Sequence, residues 1–89
     1  MNARVAMIEE RLRSAFTPLN LDIIDESAQH AGHAGAKSGG GHYALTIVAA
    51  QFAGHSPVQR HRMIYEALGD AMRKEIHALS IRAYTPDEF

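Results

Sequence analysis

The tetrapeptide Ser56-Pro57-Val58-Gln59 limits what this chain can fold into more than any other stretch, because it fixes where a helix begins. Serine at the N-cap, proline at the first helical position and glutamine at the third make a capping box, in which two side chains satisfy amide groups that a first turn leaves orphaned. Helical periodicity then runs on through Lys74. Val58, His61, Tyr65, Leu68 and Met72 share one stripe, and Arg60, Arg62, Glu66, Asp70 and Arg73 fall largely outside it. Gly69 costs such a helix about 1 kcal/mol relative to alanine but leaves the pattern intact.

The rest of the chain arranges itself around this helix. The first sixteen residues carry Val5, Ile8, Leu12, Ala15 and Phe16 at steps of three and four, which predicts an amphipathic helix with Asn2 as its cap and Pro18 as its stop. Leu19–Glu26 alternates, with Leu19, Leu21 and Ile23 on one side and Asn20 and Asp22 on the other, and reads as a half-buried strand. Ser27–Gly41 is almost entirely Ala, Gly, His and Ser, too poor in apolar surface to offset the entropy of ordering, and reads as a mobile loop. His42–Ala49 is rich in aromatic and β-branched residues and gives a second strand, paired antiparallel with the first across that loop. Ile76–Ala83 closes the chain as a third strand whose two-residue period puts His77, Leu79, Ile81 and Ala83 on the core face, with Thr85–Phe89 as a short tail that adds a turn. The expected fold is α+β: a three-stranded mixed sheet with both helices on one face.

Eighty-nine residues suffice for one small domain, 1–89, with a single core and no large buried cleft. Ten acidic against nine basic residues leave a formal charge of −1, so no global field draws the chain to phosphate. Cysteine is absent, which rules out a disulfide framework. The N-terminus lacks the apolar stretch of a signal peptide, and no run approaches the roughly 20 apolar residues of a membrane span, so a soluble, cytoplasmic protein with no membrane association is expected. No nucleophile elbow, phosphate loop or metalloprotease helix is present, and a domain this small is poorly built to exclude water from a reaction, so catalysis is not expected.

Six histidines concentrate the chemistry. His30 and His33 lie in the Gly/Ala loop, and His77 begins the last apolar run. Neutral imidazole is a common ligand for borderline metals. His-rich tracts alone are only a compositional hint, and each of these residues also has an ordinary reading as a solvated loop or strand-end histidine. His61 reads as a packed histidine on the inner helical stripe, and His42 and His55 are assigned no role.

Phe52-Ala53-Gly54-His55-Ser56-Pro57-Val58-Gln59-Arg60-His61-Arg62-Met63-Ile64-Tyr65, followed by Ile76-His77-Ala78-Leu79-Ser80-Ile81 and Tyr84-Thr85-Pro86, resembles the BolA family over essentially the whole chain. The resemblance implies a type II KH-like αββαβ topology. It also implies a partner: BolA proteins pair with monothiol glutaredoxins and share a bridging [2Fe-2S] cluster, or associate without one. In that arrangement the glutaredoxin and its glutathione supply thiolates, and the BolA chain supplies the histidine that opens its last strand together with a histidine or cysteine from the loop between its first two strands. Carried onto this sequence, the ligands are His77 and a loop histidine, which places the chain with the histidine-loop subclass. Counting forward from Asp25-Glu26-Ser27 favours His30, and counting back from His42 favours His33, the preferred choice. Imidazole in place of thiolate removes negative charge and raises the potential of an iron-sulfur centre, and because imidazole can be protonated it is a labile ligand, suited to transfer or sensing.

The family is also connected with DNA binding and transcriptional regulation, which turns attention to Arg60, Arg62, Arg73 and Lys74 as a basic helical face for phosphates. Against this stands an ordinary solvated face with pairs such as Arg62 to Glu66, each adding about 0.2–0.5 kcal/mol. KH domains hold nucleic acid with a Gly-x-x-Gly loop between helices. This chain has none, since Gly39-Gly40-Gly41 joins two strands, so a KH-like fold does not by itself bring RNA binding.

Overall fold

A computed structural model describes residues 3–27 and 41–89. In chain order the elements are α1 (Ala3–Ala15), β1 (Asn20–Asp25), β2 (Gly41–Val48), a 3-10 turn (Ala50–Phe52), α2 (Pro57–Leu68), α3 (Ala71–Lys74) and β3 (Ile76–Tyr84). The three strands form one sheet in the order β1-β2-β3. β1 pairs antiparallel with β2 from Asn20 opposite Val48 to Asp25 opposite Tyr43, and β3 pairs parallel with β2 from Tyr43 opposite Leu79 to Val48 opposite Tyr84. The α+β class, the mixed sheet and the antiparallel first pair are as the sequence reads. The expected cap Asn2 and the segment 28–40, which contains His30 and His33, lie outside the described residues.

The core forms between the helices and one face of the sheet. Ile8, Leu12 and Phe16 come from α1 and its end, Tyr43, Leu45 and Ile47 from alternate positions of β2, and Ile64, Leu68 and Ala71 from α2 and α3. Phe52, fully buried in the 3-10 turn, stacks on Phe16 with ring centroids 5.0 Å apart. Leu21 and Ile23 of β1 and Leu79, Ile81 and Ala83 of β3 pack against this cluster from the flanking strands. Leu19 is a correction: expected on the core face, it precedes the strand and is 75% exposed.

The helix after Ser56 differs from the sequence reading in phase and in length. Its capping box forms as expected, with Gln59 N–H donating to Ser56 Oγ and Ser56 N–H to Gln59 Oε1. Its buried residues, however, are Arg60, Ile64 and Leu68, while Val58 is 61% exposed and Tyr65 41%. The inner face thus opens with an arginine, which hydropathy assigns to solvent; its aliphatic stem is buried while its charged head finds partners. The helix also ends at Gly69 and does not run through to Lys74. At φ 54° and ψ −127° Gly69 has a backbone that only glycine adopts without strain, and this turn redirects the chain so that Ala71 and Ile76 are buried. Arg11 donates from Nη1 to Leu68 O, satisfying a carbonyl that the interrupted helix leaves open.

Among the described residues no helix is long and apolar enough to cross a membrane.

Candidate functional site

His77 sits where β3 begins, and a bulge decides its orientation. Gly41 pairs with Ile76 while the next residue of β2, His42, pairs with Ala78, so β3 has one extra residue at this point, and that residue is His77. Ile76 takes the buried position and Leu79 the next inward one, which leaves His77 exposed. The strict two-residue period had put His77 on the core face; the bulge corrects this, and bulges commonly re-aim a side chain in this way.

Exposure brings His77 against a neighbour that sequence reasoning left without a role. His42, at the start of β2, lies with its ring centroid 5.1 Å from that of His77 and the two planes inclined at 45°. The backbone around His42 is tied down: its N–H donates to Ser27 Oγ at 3.1 Å and its carbonyl accepts from Glu26 N–H at 2.7 Å. Gly41 is required beside it, since a Cβ there would come within 2.6 Å of the Tyr43 ring carbons. A shallow depression lined by Glu26, His42, Tyr43, Ala78, Leu79 and Ser80 adjoins the pair. Two imidazoles thus stand side by side on neighbouring parallel strands, His77 exposed and His42 half-buried with its Nε2 shielded from solvent, and the chain has no thiolate to add to them. Among the described residues no group of three or more histidines and carboxylates is arranged to hold a metal ion by itself. His30 and His33 lie outside the described residues.

The basic residues divide. Arg60 was expected on the outer face, and its guanidinium is instead enclosed: Nε donates to His55 O at 2.9 Å, Nη1 to Ala83 O at 3.0 Å, and Nη1 and Nη2 to the Glu88 carboxylate at 2.6 and 3.0 Å. Glu88 also accepts from Thr85 N–H at 2.9 Å. The Arg60 hydrogen bonds, and then the Thr85 amide, pull the Glu88 carboxyl down from an ordinary 4.5 to about 2. Arg60 therefore belongs to a clasp that joins the start of α2, the end of β3 and the tail. Arg62, Arg73 and Lys74 remain exposed, Arg73 in a 2.6 Å pair with Asp70. His61 is half-buried and His55 exposed.

Comparison with known proteins places this geometry among relatives. The family model for BolA-like proteins matches residues 12–88. SufE-like protein 1, chloroplastic/mitochondrial, of Arabidopsis thaliana is 42% identical over 93 residues, covering 99% of this chain and 25% of that protein. The DNA-binding transcriptional regulator BolA of Escherichia coli is 40% identical over 82 residues, covering 92% and 75%. BolA-like protein 1 of Mus musculus is 38% identical over 84 residues, covering 94% and 59%. The chain thus spans between a quarter and three quarters of these relatives. Among solved structures, the BolA domain of SufE1 from Arabidopsis thaliana superposes with a TM-score of 0.88 at 42% identity, covering 100% of this chain and 99% of that one.

Proposed function

The chain belongs to the BolA-like family, and from that premise we propose that it is an iron-sulfur accessory protein that binds a monothiol glutaredoxin and lends histidine ligands to a bridging [2Fe-2S] cluster, for trafficking or for iron or redox sensing. The observation that carries the reading is the exposed His77 at a bulge, with a second imidazole beside it. Iron-sulfur clusters need thiolates, and this chain has no cysteine, so sulfur must come from the glutaredoxin and its glutathione while nitrogen comes from here. His77 is the fixed ligand in this proposal. The second is His33 or His30 from the Gly/Ala segment, and His42 joins them as a candidate because of its place next to His77. The chain itself does no catalysis in this role.

Mixing the protein with cluster-loaded monothiol glutaredoxin is expected to change the visible circular dichroism, and His77→Ala to abolish the change. Single replacement of His30, His33 and His42 then identifies the second ligand. An unchanged spectrum with the wild-type chain would count against cluster sharing.

A second reading, DNA binding in transcriptional regulation, is favoured by the name of the Escherichia coli relative and by the exposure of Arg62, Arg73 and Lys74. Arg60 is no longer part of that face, being held by Glu88. The readings separate cleanly: phosphate contacts weaken steeply with salt and are indifferent to His77.

A further inference from the structure

The helices contribute their buried residues to only one face of the sheet; on the other, Val48 is buried at the end where Tyr84 meets Phe89, and the remainder is left as registered rows of side chains. One row is Asp22, Thr46 and Arg82, and the next is Ile24, Ala44 and Ser80, each running across β1, β2 and β3. Asp22, Ile24, Ser80 and Arg82 are exposed, Ile24 at 51%. With strands about 4.8 Å apart, Asp22 and Arg82 stand roughly 10 Å from each other across Thr46. Neither has an ion-pair partner among the described residues.

This face is complementary to itself. A twofold axis running along β2, between two copies stacked sheet on sheet, exchanges β1 with β3. Asp22 of each copy then faces Arg82 of the other, at both corners of the same row. In the next row the bulky Ile24 faces the small Ser80, again twice, while Thr46 and Ala44 each meet their own counterparts. No like charges are opposed in these rows, and the exposed Ile24 gains a cover. A partner presenting a single sign of charge would leave either Asp22 or Arg82 facing its own kind, which costs specificity. We propose that the uncovered sheet face binds a second copy of this chain, with Asp22 of each copy paired to Arg82 of the other. A patch three strands wide lies at the small end of protein interfaces, below about 1,200 Å² in total, so the dimer is weak and sensitive to salt.

Sedimentation equilibrium of the full chain over a wide concentration range at low ionic strength tests this without involving His77. The wild type is expected to dimerise reversibly, and Asp22→Arg or Arg82→Asp alone to weaken the dimer by at least about tenfold, because attraction at two corners becomes repulsion. An equimolar mixture of these two variants restores opposite charges at both corners and is expected to associate again, which also shows that both variants are folded. A wild type that stays monomeric throughout, single variants that dimerise like the wild type, or a mixture that does not recover would each overturn the proposal.

Discussion

Arg60 and Glu88 show how one ion pair can organise the end of a small chain. The guanidinium receives a carboxylate in a two-point contact and also satisfies the carbonyls of His55 and Ala83, so three separate segments meet on one planar group. Because the Glu88 carboxyl is lowered in the folded protein, its ionised form favours folding, and the sign of the pH effect follows. The contribution is fully present above the ordinary carboxyl value of 4.5 and is lost as pH falls toward about 2, where the folded protein also takes up the proton. Urea unfolding across that window is expected to show stability falling in the wild type, and a flatter profile in Glu88→Gln. Superimposable profiles would remove the clasp from the account. At this scale the sequence is least legible: nothing in the spacing of Arg60 and Glu88 announces their meeting, and hydropathy sends both to solvent.

At the scale of elements, most boundaries were legible because each rested on a local chemical signal. The Ser56 capping box and the alternation in β1 and β2 appear where those signals stand. The phase of α2 was missed because its inner face opens with Arg60, and two further failures share a cause, backbone geometry that leaves no mark on periodicity. Gly69 reads as a tolerated residue inside one long helix, whereas its positive φ ends α2 and starts the turn into α3. The two readings predict opposite signs for one substitution. In a continuous helix Gly69→Ala would stabilise by about 1 kcal/mol. At the observed backbone angles it is expected to destabilise by about 1–3 kcal/mol, measurable as a lower denaturation midpoint, with any gain in stability contradicting the turn. The bulge at His77 is the second such case. A strict alternation buries His77, and only the extra residue opposite Gly41 and His42 turns it outward.

Across the whole molecule, the two layers divide the work. Helices cover one face of the sheet and build the core from Ile8 to Ile76, and they leave most of the opposite face uncovered. The candidate site lies at the end where β2 and β3 both begin, so its two described imidazoles come from parallel neighbours whose register is fixed by the sheet. The family pattern names His77 as a candidate ligand; His42 becomes a candidate only through the ring contact that the bulge creates beside it. The central claim is that histidine nitrogen from this chain binds iron in a cluster whose thiolates belong to its partner. Pulsed electron paramagnetic resonance on the reduced complex, formed from unlabelled cluster-loaded glutaredoxin and this chain carrying nitrogen-15 in its histidines, tests that claim most directly. Strong nitrogen-15 couplings that are lost or halved in His77→Ala are the expected result, and a complex with no histidine coupling from this chain would contradict it.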